Sequence, residues 1–127
     1  LVTSADVPDA DLCLYLAERR ADGRTIQLAF GQLRLRYREG FDREVPLAPG
    51  EPVRVRIPLT HVAHRLPAGH RLSLLVTGGN FPLLDPNPHG DGPIADQRAN
   101  RRAIQAIHHG GTSASCLHLG TLKDTHG

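Results

Sequence analysis

Residues able to do covalent or metal chemistry are few and poorly placed for it. The chain has four serines, two cysteines and eight histidines. An α/β-type serine hydrolase carries its nucleophile in Gly-x-Ser-x-Gly on a strand–turn–helix elbow. None of Ser4, Ser73, Ser113 or Ser115 has that setting. Gly111-Thr112-Ser113-Ala114-Ser115 lacks the second glycine and leads into an apolar run. His61 and His64 are three apart, and His108 and His109 are adjacent. In an extended strand both spacings send the side chains to opposite faces, so neither pair holds one ion; only a turn would bring the first pair together. No carboxylate or cysteine accompanies them at matching positions, and they read as surface or turn histidines. The densest oxygen-donor set is Asp85, Asn87, His89 and Asp91, spaced by two. Calcium loops also alternate their ligands, but Pro86, Pro88 and the lack of a bidentate Glu weaken that match. Side-chain-capped turns pinned by proline and an ion- or ligand-binding loop both stay open. Cys13 and Cys116 lie in apolar runs far apart in sequence, which predicts two reduced core thiols rather than a disulfide scaffold.

The elements that must position these groups read as strands. Asp11 to Glu18 is rich in Leu and Tyr, and an Ala-Asp-Gly turn at 21–23 follows. Thr25 to Phe30 returns, and Gln32 to Arg38 alternates, with Leu33, Leu35 and Tyr37 inward and Gln32, Arg34, Arg36 and Arg38 on a solvated or domain-contact face. Proline and glycine make 39–52 a loop. Val53 to Leu59 alternates again, Pro58 marking a sheet edge or strand end. A turn over Leu66–His70 leads into Arg71 to Thr77, apolar enough to suggest a central, doubly covered strand. Gly78 to Pro93 is a long loop, the kind that is functional or pinned. Residues 98–102 form a short helical turn or loop. Ala103–His109 and Ser115–Leu119 are the last two strand candidates, joined through Gly110-Gly111. About seven short strands, with no amphipathic helix and no repeat, predict an all-β sandwich or jelly roll.

Composition narrows the partners. The 127 residues carry 39% hydrophobic side chains and a net charge of +2, which suits one folded domain spanning 1–127 and excludes disorder. Fourteen of the fifteen basic residues are Arg, spread along strands with no groove-fitting or stacking element beside them, which argues against nucleic acid. No apolar run reaches the ~20 residues that span a bilayer, so no membrane partner is expected. The chain contains no Met and opens on Leu1, so it reads as a piece of something longer.

Several segments together resemble a known family. Ser4-Ala5-Asp6-Val7-Pro8-Asp9-Ala10-Asp11-Leu12 is similar to its S-D-A-P-D-T-D opening, and Asp22-Gly23-Arg24 follows in place. Gly31-Gln32-Leu33-Arg34-Leu35-Arg36-Tyr37-Arg38 matches G-x-x-R-x-R-Y-R, and Pro67-Ala68-Gly69-His70-Arg71-Leu72 resembles K-P-G-H-R-L. Asn80-Phe81-Pro82 with Asp85 and Asn87-Pro88 resembles S-x-F-P-x-x-D-x-N-P, and His108, Ser115 and Leu117-His118-Leu119 fit the closing strands. The chain is thereby identified as similar to the C-terminal domain of the X-Pro dipeptidyl-peptidase and cocaine-esterase (CocE/NonD) serine hydrolases. The resemblance implies a jelly-roll, galactose-binding-like β-sandwich, trimmed of its leading strands, behind an α/β-hydrolase catalytic domain of the same polypeptide. That family holds its catalytic Ser, Asp and His upstream, so no catalytic, metal or cofactor residue is assigned here. Its enzymes cleave after an N-terminal Xaa-Pro or hydrolyse acyl esters and related amides. Gly78-Gly79 replaces the usual serines, and Leu84 and Pro86 replace polar neighbours. Asn80, Phe81, Asp85 and Asn87 are the candidate ligand or domain-contact residues. A docked domain would leave an exposed apolar patch, covered in its absence by homodimerisation through exposed strands. A stand-alone carbohydrate or small-molecule module is the alternative, although such sites want an aromatic platform and Phe81 is the one aromatic in the long loop.

Overall fold

The computed structural model describes residues 1–98 and 101–122. It is all-β, with two three-stranded antiparallel sheets and three single 3-10 turns. The strands are β1 (Val2–Ala5), β2 (Asp11–Arg19), β3 (Thr25–Arg34), β4 (Val53–Arg54), β5 (Arg71–Thr77) and β6 (Gln105–His108). One sheet runs β4-β1-β6 and the other β3-β2-β5.

The core lies between the sheets. Ala5, Val55 and Ile107 from one side meet Leu12, Leu33 and Val76 from the other, with Val7, Ala10, Leu35 and Leu47 closing one end. Leu12 and Leu35 are essentially fully buried, each worth about 1.5–3 kcal/mol relative to exposure. Side chains alternate along a strand, so Leu12, Leu14 and Leu16 face this core while Cys13, Tyr15 and Ala17 face outward. Towards Cys116 and Leu117 the sheets part around a cavity of about 700 Å³, lined by Leu14, Val55, Ile57, Leu59 and Leu74 among others.

Several expectations need correction. Leu35–Tyr37 is a 3-10 turn that ends β3, so Arg36 is buried instead of continuing a solvated strand face. β2 is the central strand and is covered along most of its length, whereas β5 lies at the sheet edge with Leu75 59% exposed. Only Val53–Arg54 of the 53–59 run pairs in a ladder. Beyond it the chain crosses to β3, where the Thr60 N–H donates to the Phe30 carbonyl (2.8 Å). Ser115–Leu119 forms no strand, although the Ser115 N–H reaches the His108 carbonyl at 3.2 Å. Cys13 is a buried thiol as expected, but Cys116 is exposed. Residues 99 and 100 of the 98–102 segment fall outside the described residues, as does the side chain of Ser113.

Total exposed surface is 9114 Å². A folded monomer of 13.8 kDa would expose roughly 6,600 Å² by the usual mass scaling. Roughly 2,500 Å² is therefore in excess, and Phe41, Phe81, Leu83 and Leu75 are among its large apolar contributors.

Candidate functional site

A buried ionic lattice joins the β1–β2 connection, the end of β3 and the loop after β5. Asp9 and Asp11 lie two apart on one segment, and Arg34 and Arg36 lie two apart on the segment beside it. Both carboxylates are about 1% exposed. Arg34 meets Asp11 through two parallel bonds, Nε to Oδ1 at 2.8 Å and Nη2 to Oδ2 at 2.9 Å. The planar guanidinium fork matches a carboxylate in this way and a Lys would not. The Asp11 contact holds the Arg34 guanidinium even more firmly protonated than usual. Arg36, with its side chain 2% exposed, donates Nε to Asp9 Oδ2 (2.7 Å), Nη1 to Glu44 Oε2 (2.9 Å) and the Gly92 carbonyl (3.0 Å), and Nη2 to the Gly90 carbonyl (2.7 Å). Its backbone N–H donates to Asp9 Oδ1 (3.0 Å).

Asn87 connects the two ion pairs. Its amide nitrogen donates to Asp9 Oδ2 (3.0 Å) and Asp11 Oδ1 (2.8 Å), while its Oδ1 accepts the His89 N–H (2.8 Å). Among the described residues no buried side-chain polar atom lacks a partner. This completeness matters, since an unpaired buried charge would cost several kcal/mol (~3–5). Glu44 also accepts from the Tyr37 hydroxyl at 2.7 Å, which keeps its carboxyl below the usual range and pushes the tyrosine up.

The candidate residues thus have different fates. Asn87 is buried inside the lattice, and Asp85 joins it through its backbone carbonyl, which accepts from Arg34 Nη2 at 2.8 Å. Asn80 stays outside, its carbonyl closing a turn with the Leu84 N–H (2.9 Å). Phe81 is 75% exposed at the loop tip, ahead of a cis Pro82. Arg34 and Arg36 are the residues the sequence reading misplaced, and Asp9 is the one it left out of the candidate site. The signal was present as an Asp-x-Asp pair and an Arg-x-Arg pair on adjoining segments, each acid with a base to meet. Of the three opening aspartates, Asp6 accepts the Ile104 N–H (2.7 Å) and Asp9 the Arg36 N–H, while Asp11 takes only side-chain donors.

A second cluster lies at the far end of β2. Glu18, 1% exposed on the core-facing side, accepts from His70 Nδ1 at 2.6 Å and contacts His64 Nε2, with Arg20 Nε at 3.4 Å. Burial raises the Glu18 carboxyl, but the bonds to His70 and His64 outweigh it and hold it below the usual glutamate range. Among the described residues no group of three His, Cys, Asp or Glu is arranged to hold a metal ion. Ser4 Oγ lies 2.9 Å from His108 Nε2, yet no acid within reach orients that ring among the described residues. A nucleophile–base pair without an orienting group or an oxyanion cradle does not make a hydrolytic site.

Residues 1–118 match the model of the X-Pro dipeptidyl-peptidase C-terminal non-catalytic domain. The chain is 31% identical over 125 residues to a cocaine esterase of Rhodococcus sp. (strain MB1 Bresler), covering 97% of this chain and 22% of that protein. A crystal structure of an aminopeptidase from a marine sediment archaeon, Thaumarchaeota archaeon, superposes with a TM-score of 0.76 at 34% identity, over 83% of this chain and 19% of that one. The chain therefore spans about a fifth of the length of these relatives. Family match, sequence identity and shared fold agree, and the chain belongs to the X-Pro dipeptidyl-peptidase C-terminal non-catalytic domains.

Proposed function

We propose that this β-sandwich serves a larger serine hydrolase, a dipeptidyl-peptidase or acyl esterase, by packing on the α/β-hydrolase catalytic domain of the same polypeptide and shaping the surroundings of its active site. The observation that carries the reading is the excess of roughly 2,500 Å² of exposed surface, more than the ~800 Å² that one partner contributes to a standard protein–protein interface. Support also comes from the lattice itself, which immobilises the 85–92 stretch while the 81–83 tip remains exposed and apolar. A braced, apolar loop suits contact with a neighbouring domain. The names of the relatives, an esterase and an aminopeptidase, fit a shared hydrolytic parent.

Assays of the isolated chain and the complete polypeptide on a p-nitrophenyl acyl ester and an Xaa-Pro anilide test this. The isolated chain should leave both at the buffer rate, while the complete polypeptide turns over one of them and loses that activity to a serine-directed reagent. Serine-dependent turnover by the isolated chain would refute the proposal.

A further inference from the structure

The face of the β3-β2-β5 sheet that points away from the core is unusual for a solvated sheet. Such faces are normally polar in their outward positions. Here Phe30, Tyr15 and Leu75 stand directly opposite one another across all three strands, with Phe30 39% and Leu75 59% exposed. Gln32 and Thr77 flank the row on one side through Cys13, and Gln27 and Ser73 on the other through Ala17. At one end of this face, Arg19 lies directly opposite Arg71. Like charges in that position repel, and neither has a carboxylate within ion-pair distance among the described residues. At the other end, Arg34, paired with Asp11, donates to the Asp85 carbonyl, which ties the loop carrying Phe81 to that end of the sheet.

We propose that this outer face, with Tyr15, Phe30 and Leu75 at its centre and Phe81 at its rim, is the surface that docks on the remainder of the same polypeptide. The partner surface is apolar opposite the aromatic row and carries carboxylates opposite Arg19 and Arg71. This rests on the packing reading above and names the face that performs it. Three observations favour that occupant. The excess exposed area exceeds what one partner contributes to a standard interface, the relatives are about five times longer than this chain, and two adjacent unneutralised guanidinium groups call for acidic groups across the contact.

Hydroxyl-radical footprinting of the complete polypeptide tests the assignment. Phe30 and Leu75 should lose most of their labelling, while Phe41 and Ile104, exposed elsewhere on the domain, stay reactive. Protection of Phe41 or Ile104 with Phe30 and Leu75 fully labelled would overturn the face assignment and leave docking itself intact. Labelling of all four in proportion to their exposure would overturn both. Protection that appears only as concentration rises would assign the face to a second copy, and so overturn the proposal. In the complete polypeptide, Leu75→Glu should raise the undocked population about tenfold or more, read as faster cleavage between the domains, while Phe41→Glu leaves that rate unchanged. Equal effects from the two variants would refute the assignment.

Discussion

At Arg36 the guanidinium and backbone N–H together donate five hydrogen bonds to four residues, Asp9, Glu44, Gly90 and Gly92, from three separate stretches of chain. Removing one side of such a buried pair leaves the other charged and unpartnered. Arg36→Met and Asp9→Ala should therefore each destabilise the domain by about 3–5 kcal/mol, measured as a fall in the urea midpoint. Arg36→Lys should recover little, because an ammonium cannot reproduce the fork that spans a carboxylate and two carbonyls. Glu18 gives a pH dependence of definite sign. Its carboxyl is held below the range it would have in the unfolded chain, which is near 4.3. The ionised form thus favours the folded state above that pH, and the stabilisation is lost as pH falls through the lower folded value. Stability curves for the native chain and Glu18→Gln should converge on acidification below about pH 4 and separate towards neutrality. Parallel curves throughout would show that the carboxylate's contacts with His64 and His70 do not favour folding.

Elements here are joined less by ladders than by single well-placed groups. Asn87→Ala leaves Asp9 and Asp11 each short of a donor, at a cost of roughly 1–3 kcal/mol. Its more specific effect should fall on the loop: limited proteolysis will cut within 80–92 while the strand signal in circular dichroism persists. Gly31 marks the second junction. A Cβ there would lie 2.3 Å from the Pro58 carbonyl, so Gly31→Ala should push the 57–60 crossing off β3 and cost about 1–3 kcal/mol in thermal or urea unfolding. What sequence reading recovered follows the same division. Alternation located β3, because a strand with one buried face must alternate, while apolar content located β2 and β5. It overlooked Val2–Ala5, where all four residues are buried and no alternation survives, and it credited Ser115–Leu119 with a strand that has no ladder partner. Arg36 was misplaced because period two was carried past Arg34, where a 3-10 turn swings the side chain onto Asp9. The resemblance to a family placed Asn87 in a loop that matches a family motif, but its burial between two carboxylates depends on contacts 76 and 78 residues away in sequence. Periodicity has no access to pairings at that range.

For the whole molecule, the amount of surface withdrawn from water on folding is the quantity that separates a self-sufficient domain from one completed by a neighbour. An unfolded chain of 13.8 kDa exposes roughly 20,000 Å², so folding to 9114 Å² hides roughly 11,000 Å² against the ~13,400 Å² expected for a monomer of this mass. Denaturant sensitivity scales with that difference. The isolated chain should therefore unfold in urea with an m-value about a fifth below that of ordinary domains of its length. In the complete polypeptide the docked face adds its burial, and the domain should unfold with the larger m-value restored and in step with its neighbour. An m-value for the isolated chain at the ordinary level would mean that its exposed apolar residues fold back on themselves in solution. The sandwich would then have no deficit for a catalytic domain to fill, and the excess of exposed surface would lose its bearing on function.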